Sequence, residues 1–144
     1  MIFEGKVVIN RPIKEVWDFI DNPENMGKWL KGFQKFEHIS GKRGTVGAKS
    51  KHYYIENGRE VILDEEITNY IPYQEFSGIL SHSTMTTKVK QTFRVLSANQ
   101  TEVMMVMDTT FHGLIMRISS LFIKKTIQQR LDEQLSEIKN AFTN

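Results

Sequence analysis

Five polar side chains in the middle of the sequence are of types that could do chemistry in an apolar pocket: Ser50, His52, Tyr54, Glu65 and Gln91. A carboxylate beside an imidazole in such a pocket is the arrangement that proton abstraction next to a carbonyl group requires. Glu65 and His52 are therefore candidate catalytic residues of a cyclase or dehydratase. Two other interpretations stay open: these side chains bond only to one another, or they orient the head group of a bound molecule.

These side chains converge only if two neighbouring strands pair antiparallel. Asn57-Gly58 separates the predicted strands 48–55 and 59–70, and it is a strong hairpin signal because both central positions of a tight turn need positive φ. A β-bulge near the candidate residues would shift the predicted parity by one. Without a bulge, alternation along the two strands predicts one inward face: Ser50, His52, Tyr54, Val61, Leu63, Glu65 and Ile67.

The remaining elements are predicted from hydrophobic periodicity and from residues that begin or end helices. Residues 2–9 alternate like a strand, and Pro12 suits the first turn of a short helix whose apolar residues recur at helical spacing. Asn22-Pro23 predicts a second short helix to about Trp29, because the Asn22 side chain can accept the exposed N–H groups of its first turn. Further strands are predicted at 33–40, 74–80, 85–96 and 102–112.

The longest element is predicted to be a helix from Leu114 to about Phe142. Its apolar residues recur at steps of mostly three and four, which we interpret as one stripe packed on a curled sheet. Residues 114–122 are apolar on nearly every side and are expected to cover a cavity. Residues 131–142 are expected to contribute packing alone.

The order of these elements, and the segment INRPIKEVWDFIDNPENMGKW at 9–29 in particular, resembles the START-related (SRPBCC) helix-grip superfamily, in its polyketide cyclase/dehydrase-like and lipid-transport-like branch. The resemblance covers essentially the whole chain. It implies an α+β fold in which a seven-stranded curved antiparallel sheet wraps around the C-terminal helix, with two short helices between strands 1 and 2. It also implies a deep apolar cavity, but no catalytic set is common to the superfamily.

A wall rich in methionine and aromatic residues would let such a cavity accept a hydrophobic or amphipathic guest of variable shape, such as a lipid, a polyketide-like molecule or an isoprenoid. The same side chains could instead fill a solid core. The predicted ligand-binding residues are Trp29, Phe33, Tyr54, Phe76, Met85, Gln91, Phe93, Met105, Met107, Phe111, Ile118 and Phe122.

Composition narrows the class of protein. The 144 residues with 40% hydrophobic content suit one domain over 1–144, and no cysteine is present for disulfides, thiolate metal sites or cysteine nucleophiles. The four histidines are widely spaced, so we expect no metal and no cofactor. The charged N-terminus lacks a signal-peptide core, which favours a cytoplasmic protein. A net charge of +2 argues against a nucleic-acid partner.

Charge is distributed unevenly. Residues 28–51 carry seven basic residues against Glu37, and residues 56–76 carry six acidic residues against Arg59. One interpretation is a basic patch for weak membrane-surface contact, as in an adaptor or co-regulator. The other is a pair of adjacent strands whose solvated faces attract one another. The expected partner is a hydrophobic small molecule, and the protein is expected to be a monomer or a homodimer.

Overall fold

The computed structural model describes residues 1–143. One sheet and a long helix dominate it. The strands are β1 (Ile2–Ile9), β2 (Phe33–Ser40), β3 (Lys49–Glu56), β4 (Arg59–Ile71), β5 (Glu75–His82), β6 (Met85–Ser97) and β7 (Gln100–Phe111). The helices are α1 (Ile13–Asp21), a 3₁₀ helix (Pro23–Lys28) and α2 (Leu114–Asn140).

All seven strands form one antiparallel sheet in the order β1-β7-β6-β5-β4-β3-β2. Every pair of sequence neighbours from β2 to β7 is also a pair of spatial neighbours, and β1 closes onto β7. The short helices lie between β1 and β2, and α2 follows β7. The predicted helix-grip architecture is thus confirmed, with boundaries that differ from the predicted ones by two residues at most.

The β3–β4 hairpin forms as predicted. Asn57 and Gly58 have φ of 51° and 77°, which only a residue tolerant of the left-handed region accepts readily. Ser50 pairs with Glu65 and His52 with Leu63, and the nearest β4 irregularity lies beyond Ile67. The predicted alternation of inward and outward side chains therefore holds from Ser50 to Tyr54 and from Val61 to Glu65.

Helix α1 attaches the N-terminal segment to the sheet. Val16, Trp17 and Ile20 are buried at steps of one and three residues, so a single face of the helix packs inward. At the junction after α1, the Asn22 side-chain oxygen accepts a hydrogen bond of 3.0 Å from the backbone N–H of Glu24. This is the predicted cap, although the second helix is 3₁₀ rather than α.

The prediction of one apolar stripe along α2 is wrong. Leu131, Leu135 and Ile138 are buried, whereas Ile118 and Phe122 are exposed. The step of five residues between Phe122 and Ile127 turns the helix about 140° beyond one full turn, since each residue adds about 100°. The two halves of α2 consequently present their large apolar residues to nearly opposite sides.

Candidate functional site

A cavity of about 220 Å³ lies against the concave face of the sheet. The 3₁₀ helix and the loop that follows it border the cavity at one end, and Arg130 and Gln134 of α2 border it on another side. Gly78 lies in the middle of its floor, between Ile67 of β4 and Val89 of β6. Since glycine has no side chain, this position leaves room above the centre of the sheet.

Both predicted catalytic residues and six of the twelve predicted ligand-binding residues line this cavity. Alternation along β3, β6 and β7 brings most of them to one surface. The six are Trp29, Tyr54, Phe76, Gln91, Met105 and Met107, and the catalytic candidates are His52 and Glu65.

The other six predicted residues lie elsewhere. Met85 and Phe111 pair with each other at the end of the sheet where β6 begins and β7 ends. The Phe93 ring packs on Trp17 with ring centroids 4.9 Å apart, and the Phe33 ring packs edge-on against Tyr54 at 5.6 Å. None of these four residues is part of the lining, and Phe33 supports it through Tyr54.

Ile118 and Phe122 are not at the cavity either. Their exposed fractions are 55% and 81%, and α2 contributes Arg130 and Gln134 to the lining instead. The expectation that residues 114–122 cover the cavity is therefore wrong, for the same reason as the single stripe: this half of the helix turns its large apolar residues outward.

Ser50, His52 and Glu65 form a compact buried cluster. The Ser50 hydroxyl donates to Glu65 Oε1 at 3.1 Å and lies 3.4 Å from His52 Nε2. His52 Nε2 lies 3.3 Å from the same Glu65 oxygen. The side chains of His52 and Glu65 are only 5% and 13% exposed, so a proton can be held here away from bulk water. The cluster is thus compatible with acid–base chemistry. It is equally compatible with three side chains that only hydrogen-bond to one another.

Two more polar groups border the cavity without belonging to this cluster. The Tyr54 side chain is largely buried, and burial together with the charge of Glu65 raises the pKa of its phenol above the ordinary value. It is therefore a neutral hydroxyl at physiological pH. The Trp29 indole N–H is the one buried side-chain polar atom without a hydrogen-bond partner among residues 1–143.

Asp21 and Tyr70 form a second polar pair in the lining. The Tyr70 hydroxyl donates to Asp21 Oδ1 at 2.9 Å. Burial raises the pKa of the Asp21 carboxyl. Burial and the bond to Asp21 raise the pKa of Tyr70 to about 12. The pair joins the end of α1 to β4 across the cavity wall.

Several lining residues were absent from the predicted site. Leu63 and Ile67 were on the predicted inward face, and strand parity alone could have added them to the site. No local pattern indicates the contribution of α2, because it depends on where that helix docks: Arg130 is held by a charged hydrogen bond to Glu56 at the end of β3.

The pairing of β3 with β4 partly explains the uneven charge distribution, because it places part of the basic segment 28–51 beside part of the acidic segment 56–76. Lys51 Nζ lies 3.2 Å from Asp64 Oδ1 across the hairpin, and Lys49 is the register partner of Glu66. These contacts support the interpretation that adjacent solvated strand faces attract one another.

The fold and the position of the cavity define a helix-grip protein of the START-related class. Within that class, the chain belongs to the polyketide cyclase/dehydrase and lipid transport family, whose model matches residues 1–143. A search of curated protein sequences gives no significant match.

Solved structures agree with the family in fold. The Zhui aromatase/cyclase from Streptomyces sp. R1128 superposes with a TM-score of 0.83 at 10% identity, covering 99% of this chain and 93% of that one. A START superfamily protein from Mycobacterium smegmatis gives 0.81 at 8% identity, covering 98% and 96%. A conserved protein from Geobacillus kaustophilus gives 0.81 at 12% identity, covering 99% and 95%. At these identities the likeness concerns the fold alone.

Within residues 1–143, neither a membrane-spanning helix nor a cluster of metal ligands is present. None of its helices combines the length and the apolar character needed to cross a membrane. Nowhere in residues 1–143 do three or more His, Asp or Glu side chains come together as a metal ion would require.

Proposed function

We propose that the protein binds a hydrophobic or amphipathic small molecule, such as a lipid, polyketide-like or isoprenoid compound, in the cavity between the sheet and the helices. The observation that carries this proposal is the 220 Å³ cavity with a mainly apolar lining. An apolar cavity of about 150 Å³ is already large enough to bind benzene. The family description, which includes lipid transport, supports the same class of ligand.

The polar groups of the lining would orient such a ligand. Gln91 lies on the sheet between Phe76 and Met105, so it is a polar group between two apolar residues of the lining. Burying roughly 300 Å² of apolar ligand surface contributes about 7 kcal/mol at about 25 cal/mol/Å², before the cost of association. After that cost is subtracted the affinity is at most moderate, which suits a carrier that must also release its ligand.

Filling the cavity should abolish binding. We expect Leu63→Trp, which places an indole inside the lining, to raise the dissociation constant for 2-naphthol at least tenfold in a fluorescence titration. Native mass spectrometry of freshly purified protein should show less co-purified ligand in this variant than in the wild type. Val95→Trp is the matched control because Val95 is exposed and outside the lining. Equal binding by the two variants would contradict a cavity site.

A second candidate function is a cyclase or dehydratase, and the buried Ser50–His52–Glu65 cluster is the observation that favours it. Glu65 would accept a proton from the carbon next to a carbonyl group, and His52 would share that proton through the 3.3 Å contact. The Streptomyces protein named above as an aromatase/cyclase has the same fold, which supports the reaction class without specifying a substrate.

Replacing Glu65 with Gln separates the two functions. If Glu65 is the base, E65Q should lower turnover of a linear poly-β-ketone thioester at least 100-fold, because general-base catalysis typically contributes 10²–10⁴-fold. A carrier should keep its affinity for 2-naphthol within about threefold. Glu66→Gln is the control, since Glu66 is exposed on the opposite face of β4. A wild-type protein that binds but never converts the thioester would exclude the enzyme for this substrate class.

A further inference from the structure

The outer side of the first half of α2 carries an unusual concentration of exposed apolar side chains. Phe122 is 81% exposed and Ile115 is 80% exposed. Together with Leu114, Ile118 and Leu121, they form what we call the outer stripe. At about 100° per residue, these five positions fall within an arc of about 120°.

The outer stripe faces away from the body of the protein. The side of the same helix that packs inward carries Met116, Ser120, Ile127 and Leu131, of which Ser120 and Leu131 are buried. This inward side lies more than about 120° around the helix axis from the centre of the outer stripe. In the second half of α2 the outward positions become polar, with Gln129, Asp132 and Ser136. The apolar outer surface is therefore confined to residues 114–122.

The charged residues of the helix beside the outer stripe have one sign. From Gly113 to Leu131 the helix contains Arg117, Lys124, Lys125 and Arg130 and no acidic residue. Arg130 is held by Glu56. Arg117 and Lys124 lie along one edge of the stripe by helical spacing, and Lys125 lies at its C-terminal end. An exposed apolar face bordered by cations is the pattern of a helix that lies in the surface of an anionic bilayer.

We propose that the first half of α2 is a docking surface for an anionic lipid bilayer, with the outer stripe inserted among the lipid chains and the three cations at the level of the head groups. Charge distinguishes this occupant from a second copy of the chain. A symmetric copy packed stripe against stripe would offer only cations on the facing helix, with no acidic residue from 113 to 131 to pair with them. The surface is separate from the cavity lining and does not depend on the proposed ligand.

Vesicle sedimentation tests this proposal. At low ionic strength, the wild-type protein should partition onto vesicles of equal phosphatidylglycerol and phosphatidylcholine at least tenfold more strongly than onto phosphatidylcholine alone. The double variant Leu121→Ser/Phe122→Ser should lose at least tenfold of that partitioning. Val95→Ser should change it less than twofold, because Val95 is an exposed apolar residue paired with Thr101, at the other end of β7 from the start of α2.

A second pair of variants tests the cations. Lys124→Gln/Lys125→Gln should reduce binding to the anionic vesicles about tenfold and remove the preference over neutral ones, whereas Lys35→Gln/Lys42→Gln in the 28–51 segment should leave binding unchanged. Failure of the wild-type protein to sediment with anionic vesicles would overturn the proposal. It would also be overturned if only the 28–51 variant lost binding, or if ultracentrifugation revealed a dimer that the Leu121→Ser/Phe122→Ser variant dissociates.

Discussion

Trp17→Ala should lower the free energy of unfolding by about 3–5 kcal/mol, the usual range for removing a large buried aromatic side chain. Trp17 is 3% exposed, and its ring meets three others: Phe93 at 4.9 Å, Tyr70 at 5.5 Å and Tyr73 at 5.9 Å between centroids. Edge-to-face contacts of this kind stabilise the fold beyond the effect of the buried apolar area. One side chain therefore joins α1 to β6 and to the end of β4.

Urea denaturation with a linear extrapolation measures this cost. For a domain of this length we expect the melting temperature to fall by roughly 10 °C. Asp18→Ala is the control on the exposed side of α1: its ion pair with Lys14 at 2.7 Å is open to solvent, so its loss should cost under about 1 kcal/mol. Similar costs for the two variants would mean that α1 is not anchored through Trp17.

Trp17→Ala should also weaken ligand binding, because Tyr70 is both a neighbour of Trp17 and part of the cavity wall. Removing the indole leaves space into which the Tyr70 ring can tilt, and the bond between the Tyr70 hydroxyl and Asp21 would then be strained. The stability of α1 and the shape of the site are thus coupled through one aromatic contact.

Strand parity explains why so much of the concave wall could be predicted. A strand alternates with period two whatever the rest of the chain does, so a single reliable turn at Asn57-Gly58 determines the faces of β3 and β4 together. The Ser50–His52–Glu65 cluster follows directly from that local geometry. Bulges occur elsewhere in this sheet, but the register between β3 and β4 is unbroken along the whole hairpin.

Helix α2 could not be predicted as well, because its period is not an integer. Steps of three and four residues each look acceptable, yet one step of five between Phe122 and Ile127 moves all later residues to another side. Counting local steps missed this accumulated angle. The contribution of Arg130 and Gln134 to the cavity could not be predicted for a different reason. It depends on how far along the sheet the helix docks, and no local sequence pattern encodes that position.

The two-sided character of α2 leads to the second large effect: Leu135→Ala should cost about 2–5 kcal/mol, while Leu121→Ala on the same helix should cost under about 0.5 kcal/mol. Leu135 is 3% exposed and Leu121 is 74% exposed. Both substitutions remove the same atoms and gain the same helix propensity. Their difference in unfolding free energy therefore isolates packing.

The packing under Leu135 is unusually close because β1 has a glycine there. A Cβ atom added to Gly5 would lie 2.9 Å from Leu135 Cδ1 and 2.8 Å from Leu131 Cδ2, so the helix rests directly on the backbone of the strand. Backbone cannot move in to fill the space left by Leu135→Ala, which puts the cost towards the upper end of the range. Equal costs at positions 121 and 135, measured by urea denaturation, would contradict this placement of α2. A stable Leu121→Ala variant that binds anionic vesicles less well would connect the same exposed face to membrane docking.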